Sequence, residues 1–261
     1  MKKKHFGPLA FALALLLAPL APALAQDDYG EVALNVSYGR AALRWTTLQT
    51  FFDSYNEVNK ADIRTKVTLP TATVVSVNAH VANWVCLRYE QLRGDCQADF
   101  TSGLQRRFEL RQHLLLIGIE PLFRGKHLFA GPTLGLGAGD TRVSSYVVYP
   151  DGTVSWGRER NLSGSYRATG IRFSGGLRAG YQWPRVLLAL RGEWGPGGTD
   201  SIALRDNIQG GAAEELPLDY AAFLAVPPVG ANSRVYESVK PDLASYRVSF
   251  EIGLRLNPAV R

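Results

Sequence analysis

The stretch Tyr246–Leu256, near the end of the chain, constrains the fold more than any other. Apolar residues occupy every second position, and the residues between them are polar, charged or Gly. This period of two predicts a β-strand with one apolar face. Such a strand of eleven residues, tilted by about 40°, rises roughly 26 Å. Soluble strands are usually about half as long, so the stretch is predicted to cross the apolar belt of a membrane barrel, which is about 25 Å tall.

The amino terminus has the pattern of a cleaved secretory signal. Three lysines, Lys2–Lys4, precede an apolar run, Leu9–Leu17, and small residues follow at Ala23–Ala25. Two prolines interrupt the segment well short of the roughly 20 apolar residues that a spanning helix needs. We therefore expect a signal peptide at residues 1–25 and an exported barrel domain at residues 26–261.

Composition supports an exported barrel and gives no sign of a nucleic-acid partner. The full chain has a net charge of +6, and the three lysines of the signal leave +3 for the rest. This balance is too weak to predict nucleic-acid binding in an exported protein. The chain is 46% hydrophobic, yet no uncharged apolar run after residue 25 reaches 18 residues. An exported chain of this kind fits a barrel in which half of each strand faces lipid.

Two cysteines, Cys86 and Cys96, lie in a polar segment with nine residues between them. In an oxidising compartment they predict a disulfide that pins a loop, stabilising it by about 2 to 3 kcal/mol. Two free thiols are the alternative. The chain has no CxxC motif and no nearby His cluster, so zinc binding and redox catalysis are not predicted. We expect residues 83–106 to form an outer loop.

Six further segments show an extended or alternating apolar pattern and are predicted as strands. They are Glu31–Gly39, Thr73–Ala82, Phe108–Ile119, Leu128–Ala138, Ile171–Tyr181 and Val186–Trp194. Short connections at Pro121–His127 and Trp183–Arg185 are predicted to be periplasmic, and the long segments, including the hairpin Arg142–Glu159 and the stretch Gly195–Leu243, to be outer loops. The aromatic residues Tyr181 and Trp183 then fall at the periplasmic rim and Trp194 and Tyr246 at the outer rim.

An even strand number requires one more strand between the first and the second predicted strands. Ala41–Phe52 is the best place for it, with the strand at Thr73 ascending, although Leu48, Phe52 and Tyr55 recur at helical spacing. The sequence thus predicts an all-β, eight-stranded antiparallel up-and-down transmembrane β-barrel with long outer loops.

The inward positions of the last three strands carry seven charges. They are Arg172, Arg178, Arg191, Glu193, Arg247, Glu251 and Arg255. A dry core could not hold so many unpaired ions, each of which costs several kcal/mol. An eight-stranded barrel is only wide enough for side chains, so a structural Arg/Glu network that plugs the lumen is the first interpretation, and a narrow anion-favouring passage is the second. Glu109, Arg111 and His113 share one parity, which also suggests the interior.

Motifs for catalysis or cofactor binding are weak. Gly135–Gly139 has GxGxG spacing but lacks a P-loop lysine and a following helical pattern. Ser76 and His80 share a strand face but lie about 13 Å apart at 3.3 Å per residue. We therefore predict no enzymatic activity, no cofactor and no metal.

Two strand-like segments, Leu128–Gly137 and Ser174–Trp183, resemble the strands of small bacterial outer-membrane β-barrel proteins, the broad OmpA/OmpX-like and porin-like group. The final strand is similar to the carboxy-terminal signal that the barrel assembly machinery recognises in these proteins, although Asn257–Arg261 follow it. The resemblance implies integral outer-membrane location, with outer-membrane lipid and the assembly machinery as partners. It assigns no functional residue.

The predicted role is structural or surface-interacting, with a surface ligand bound through the outer loops. Loops on a rigid scaffold are where binding usually lies. The predicted contact loops are Cys86–Cys96, Arg142–Glu159 and Gly195–Leu243. The alternatives are a narrow channel, a membrane-embedded lipid-modifying enzyme and a soluble periplasmic barrel or sandwich.

Overall fold

A computed structural model describes residues 32–81, 84–155, 164–195, 203–205, 215–217 and 244–256. The predicted signal peptide and most of Gly195–Leu243 lie outside these residues. The described helix is α1 (Thr46–Val58). The described strands are β1 (Ala33–Arg44), β2 (Ile63–Thr65), β3 (Thr71–His80), β4 (Val85–Phe100), β5 (Gln105–Ile119), β6 (Phe123–Arg124), β7 (Leu128–Val148), β8 (Val154–Ser155), β9 (Gly164–Gln182), β10 (Val186–Gly195), β11 (Ala203–Arg205), β12 (Glu215–Pro217) and β13 (Ala244–Arg255).

Of the described strands, eight close into an antiparallel barrel. Their order is β1-β3-β4-β5-β7-β9-β10-β13, and β13 pairs back onto β1 along its full length. The predicted fold class is confirmed. The five other described strands, β2, β6, β8, β11 and β12, are short additions outside this closed path.

The strand register gives the tilt of the barrel. One path of paired residues runs through Ala42, Tyr246, Trp194, Gly175, Leu134, Ile119 and Val85. Cys86 pairs with His80, and His80 pairs with Ala33. Val85 is one residue before Cys86, so the path returns to β1 one residue before Ala33, at Val32. The path therefore shifts from position 42 to position 32, an offset of ten residues. For eight strands this offset corresponds to a tilt of about 40°.

The eighth strand is β4, so its predicted position at Ala41–Phe52 was wrong. β1 continues to Arg44, and the chain then enters α1. β4 was expected to be a loop because the outward positions of its second half, from Gln91 to Asp99, are polar. The short turn before Val85 also reverses the predicted direction of β3, which descends antiparallel to β1.

The two ends of the barrel differ in the length of their connections. One end carries the short links 81–84, 120–127 and 183–185 and is periplasmic by the usual asymmetry of such barrels. The opposite, outer end carries the longer segments and α1. Four strands extend beyond the barrel there and form what we name the extracellular sheet, residues 91–100, 105–113, 140–148 and 164–170. The 21 residues of β7 rise about 50 Å, roughly twice the height of the apolar belt.

A belt of exposed apolar side chains surrounds the barrel below the extracellular sheet. It includes Val36, Tyr38, Leu115, Ile117, Leu134, Leu136, Ile171, Phe173, Leu177, Leu190, Val248, Phe250, Ile252 and Leu254. A soluble protein rarely exposes so large a continuous apolar surface, so the chain is an integral outer-membrane barrel and the soluble alternative fails.

Aromatic side chains mark both edges of the belt. Tyr181 packs on Trp183 with ring centroids 4.5 Å apart at the periplasmic edge. Trp194 and Tyr246 are paired in register near the outer edge, and both are exposed. This is the two-girdle arrangement that the headgroup regions of a bilayer favour.

Among the described residues, no helix is long and apolar enough to cross a membrane.

Candidate functional site

The interior of the barrel contains two stacked regions. The lower layer, toward the periplasm, is ionic and consists of Arg88, Glu90, Glu120, Arg178, Arg191, Glu193, Arg247 and Glu251. The upper layer, toward the outside, is apolar and consists of α1 and the wall residues that it contacts. Both layers are buried, so the state of the lumen depends on how each is packed.

The lower layer is organised around two carboxylates, Glu120 and Glu251. Arg191 forks onto Glu120, with Nη1 and Nη2 donating to its two oxygens at 2.6 and 3.0 Å, while its Nε donates to Glu251. Arg178 Nε donates to Glu251 at 2.8 Å, and its Nη1 lies 3.5 Å from Glu120. His80 Nε2 lies 2.9 Å from Glu120. Two guanidinium groups therefore bridge two carboxylates.

A third carboxylate, Glu193, extends this network upward. Its Oε1 accepts hydrogen bonds from Arg88 Nη1 at 2.6 Å and Arg191 Nη1 at 3.0 Å. Arg247 Nη2 lies 3.7 Å from its other oxygen, and Arg247 Nη1 donates to Glu90. These contacts link β4, β10 and β13 across the lumen, so the network ties separate parts of the wall together.

Charge balance explains how these ions remain buried. The lower layer as defined contains four arginines and four glutamates, and each takes part in an ion pair. Burial alone would raise the pKa of the Glu120 carboxyl, but Arg191 and His80 hold that pKa well below its usual range. Because its pKa is lowered, Glu120, which lies in the turn after β5, is ionised at neutral pH. Removing one member of such a network leaves its partner buried and unpaired.

The structure brings together five of the seven lumen charges identified from sequence. Arg178, Arg191, Glu193, Arg247 and Glu251 belong to the lower layer. Of the other two, Arg172 is buried and contacts the carbonyl of Ile171 at 3.3 Å, while Arg255 lies at the periplasmic rim and donates to the carbonyl of Trp183 at 3.2 Å.

Four buried polar members of the site were not identified from the sequence. They are His80, Arg88, Glu90 and Glu120. Arg88 and Glu90 do alternate with Val85, Leu87 and Tyr89, and this short period of two could have indicated a strand.

The suggestion that Glu109, Arg111 and His113 face the interior was wrong. Their strand, β5, points its even-numbered residues inward, including Phe108 and Leu110. The three polar residues lie on the outer surface above the apolar belt, where water is available to them. His113 Nδ1 meets the hydroxyl of Tyr89 there at 2.7 Å.

Helix α1 provides the centre of the upper layer. Leu48, Phe52 and Tyr55 recur at spacings of four and three, so they share one face, and all three are buried. Phe52 packs on Phe108 of β5 with centroids 4.9 Å apart. The wall residues in contact with this cluster include Leu43, Val74, Leu92, Phe108, Leu110 and Val143.

The segment after α1 is fastened to it by a side chain. Asn56 donates from Nδ2 to the carbonyl of Val67 at 2.8 Å and accepts from the amide of Val67 at 3.0 Å. Both residues are buried. The helix is therefore held in the mouth by its apolar face and by the returning chain.

The described lumen is lined by buried ionic and apolar side chains. A void of about 10 Å³ lies at its periplasmic end beside His80, Phe129, Arg178 and Leu187. That volume is close to the minimum for one water molecule. Glu251 is 0% exposed and Arg178 is 2% exposed, so the charged side chains fill the lumen and the first interpretation, a plug, fits the geometry.

The predicted disulfide between Cys86 and Cys96 was wrong, and both cysteines are free. They lie on the same strand, β4, ten positions apart, which corresponds to about 33 Å. A disulfide requires Cα atoms within about 7 Å. Cys86 lies in the lower part of the lumen, whereas Cys96 packs against the apolar upper layer.

One group of side chains has the composition of a metal site. His80, Cys86 and Glu120 bring potential ligand atoms within 4.8 Å of one another. The guanidinium groups of Arg178 and Arg191 already contact this carboxylate. Two fixed cations at the same oxygens oppose a metal ion, so these residues do not fit a divalent cation.

Serine and histidine do not pair in the described lumen as a hydrolase would require. Ser76 Oγ lies 2.6 Å from Ser37 Oγ and donates to Asn78 at 3.3 Å. His80 instead contacts Glu120 and Arg178.

Comparison with known proteins gives similarity at the level of solved structures. No protein-family model matches the chain, and no curated protein matches it. The chain is similar to Ail, the attachment invasion locus protein of Yersinia pestis, with 9% identity over 87% of this chain and 99% of that one and a TM-score of 0.39. It is also similar to the outer membrane protein OprG from Pseudomonas aeruginosa, with 11% identity over 86% and 96% and a TM-score of 0.41. A major outer membrane protein from Thermus thermophilus matches with 10% identity over 86% and 98% and a TM-score of 0.44.

Proposed function

We propose that this eight-stranded outer-membrane barrel is a closed scaffold that presents its extracellular sheet to partners at the cell surface. The observation that carries the proposal is the combination of a lumen filled by two layers and four strands that continue beyond the apolar belt. A pore would need neither long rigid strands outside the membrane nor an apolar helix in its mouth. In a scaffold for surface contact, the strands outside the membrane provide the contact surface and the helix keeps the mouth closed.

The filled lumen supports a scaffold over an anion-favouring channel. An anion would have to separate ion pairs such as Arg191 with Glu120 and Arg178 with Glu251. Removing one partner of a buried pair typically costs about 3 to 5 kcal/mol. The anion would also have to pass the largely apolar cluster around Phe52, which fills the mouth of the barrel. The arginines thus serve to neutralise glutamates and not to conduct.

The contact surface proposed from the sequence shifts with the structure. Residues 86–96 form part of a strand, and their upper end joins the extracellular sheet. The hairpin between β7 and β8 turns at residues 149–153, where Asp151 accepts from the amide of Thr153 at 2.9 Å and from its hydroxyl at 2.7 Å. Tyr149 and Val154 are exposed beside this turn. A rigid tip with exposed apolar side chains suits protein contact.

Conductance in a planar bilayer tests the closed-scaffold part of the proposal. The purified full chain should produce no stepwise conductance and no uptake of small sugars into vesicles. A reproducible conductance with anion selectivity would overturn the scaffold in favour of the channel.

Surface contact is tested separately with cells that display the protein. Replacing Tyr149 and Val154 by Ala should reduce adhesion to protein-coated surfaces, because the exposed tip loses its apolar contacts. Tyr38→Ala, which changes the lipid-facing belt, is the matched control. Equal adhesion of the tip variant and the wild type would contradict a contact role for the hairpin. The proposal includes no catalytic step.

A further inference from the structure

A row of basic side chains crosses the outward face of the barrel. Arg40 pairs in register with Thr73, Thr73 with Arg93, Arg93 with Arg111, and Arg111 with Arg142. These residues belong to five adjacent strands. Paired residues of neighbouring strands point to the same face about 5 Å apart, and all five lie at outward-facing positions. The register therefore places four arginines and one threonine side by side, a set we name the arginine row.

The arginine row lies just above the apolar belt. Arg40 follows the exposed Tyr38 by two residues, and Arg111 lies four residues from the exposed Leu115. Two residues of a tilted strand rise about 5 Å, so these arginines stand roughly 5 to 10 Å beyond the belt. The polar headgroup region occupies about 5 to 8 Å on each side of the hydrocarbon core. Long arginine side chains can therefore place their guanidinium groups among the headgroups.

Like charges at paired positions destabilise a sheet unless an opposite charge lies between them. Within the row, Arg93 Nε lies 3.8 Å from Asp95, and Arg111 donates to Glu109. Arg40 donates to the hydroxyl of Thr73 at 3.3 Å, which is a neutral partner. The β1 end of the row is therefore the more electropositive part.

Outward positions near this end strengthen that charge. On β1 and β3, both of which are described in full, the outward residues above the belt are Arg40, Ala42, Arg44, Thr71 and Thr73. None of these is a carboxylate. Arg44 lies over the ring of Tyr246, 5.0 Å from its centroid, and adds a second cation four residues beyond Arg40 on the same strand.

We propose that Arg40, Thr73 and Arg93 bind the phosphate of a phosphorylated lipid headgroup in the outer leaflet. A guanidinium group donates two parallel hydrogen bonds to phosphate, and a threonine hydroxyl adds a third donor. The level of the row selects a lipid over a soluble polyanion, because Arg40 borders the lipid-facing Tyr38. The site is independent of the proposed surface role, which depends on the tip of the extracellular sheet.

Binding of bisphosphorylated lipid A to the full chain in detergent micelles tests the site. The double variant Arg40→Gln/Arg93→Gln should lower the affinity at least about tenfold, since each arginine loses charge-assisted hydrogen bonds. The variant Arg40→Lys/Arg93→Lys, which keeps the charge, should retain intermediate affinity. The matched control Arg64→Gln/Arg185→Gln removes the same charge from exposed positions outside the row and should bind as the wild type does.

Three results would overturn the site. Lipid A could bind equally to the wild type and to Arg40→Gln/Arg93→Gln. Dephosphorylated lipid A could bind as tightly as the phosphorylated form. A sulfated oligosaccharide could lose affinity in the variant while lipid A does not, which would identify a soluble polyanion. Circular dichroism of each variant, with Arg40→Gln alone as a milder change, separates loss of binding from loss of fold.

Discussion

The two layers of the lumen close the same barrel by different physical means. In the lower layer, side chains of the wall and of one periplasmic turn meet as ion pairs, with Glu251 between Arg178 and Arg191. In the upper layer, a helix enters from outside and buries Phe52 against Phe108. The two layers therefore differ in how far each depends on the barrel as a whole. Ion pairs between distant strands require the closed wall, whereas the helix depends on one face and its linkers.

This contrast predicts different responses to mutation. The lower layer joins β4 to β10 and to β13 through side chains that form hydrogen bonds across the lumen. A defect there should weaken the entire barrel, because it leaves a charge without compensation inside the wall. The upper layer can detach without breaking a wall strand. A defect there should open the mouth locally.

The largest effect is expected for Glu251→Gln. Glu251 is fully buried and accepts from Arg178 and Arg191, so the variant leaves two guanidinium groups undercompensated. The free energy of unfolding should fall by about 3 to 5 kcal/mol. Urea titration of the protein in detergent micelles measures this change.

The matched comparison for this variant restores the charge balance. Glu251→Gln/Arg178→Gln removes one charge of each sign and should lose less stability than the sum of the two single variants. Glu57→Gln, which alters an exposed carboxylate paired with Lys60, is the surface control. A value for Glu251→Gln no larger than that of Glu57→Gln would contradict an ionic lower layer that stabilises the wall.

A somewhat smaller and more local effect is expected for Phe52→Ala. The variant removes a fully buried aromatic ring of α1 and should weaken packing in the mouth by about 3 kcal/mol. Because Cys96 packs against the upper layer and Cys86 lies in the lower one, a maleimide reagent should modify Cys96 faster while Cys86 stays protected. Mass spectrometry of the labelled peptides measures both rates.

Conductance of the same variant tests whether the lower layer closes the lumen without the upper layer. Phe52→Ala should remain closed in a planar bilayer, because the lower layer fills the lumen without the helix. Asp53→Ala, an exposed change on the same helix, is the matched control for labelling. Equal acceleration of Cys86 and Cys96 would show that the two layers open together and would break the distinction between them.

Most residues of the lower layer could be predicted from the sequence, but few residues of the upper layer could. Glu193, Arg247 and Glu251 could be placed in the lumen because their strands cross the belt and keep a period of two. Arg88 and Glu90 were missed, since the outward positions of the second half of their strand, from Gln91 to Asp99, are polar and the segment was taken for a loop. In this chain, the strands identified from periodicity are those with an apolar face toward lipid.

The turn residue Glu120 and the helix α1 were not predicted from the sequence for a related reason. Glu120 follows the end of β5, and a residue in a turn has no strand parity that could place it inward. The helical spacing of Leu48, Phe52 and Tyr55 was visible, but an even strand number favoured a strand. The number was right. The polar strand β4 supplied the missing member.

The smallest effect is expected from pH and concerns Glu120. Its pKa is lower in the folded protein than the usual value near 4.3. Glu120 therefore contributes stability that is fully present above the unfolded pKa and is lost as the pH falls through the folded pKa. Unfolding free energies of the wild type should decline through this acidic range, and the decline should be smaller in Glu120→Gln, which cannot titrate. The difference between the two curves isolates Glu120, and parallel curves would mean that its ion pair with Arg191 does not stabilise the lower layer.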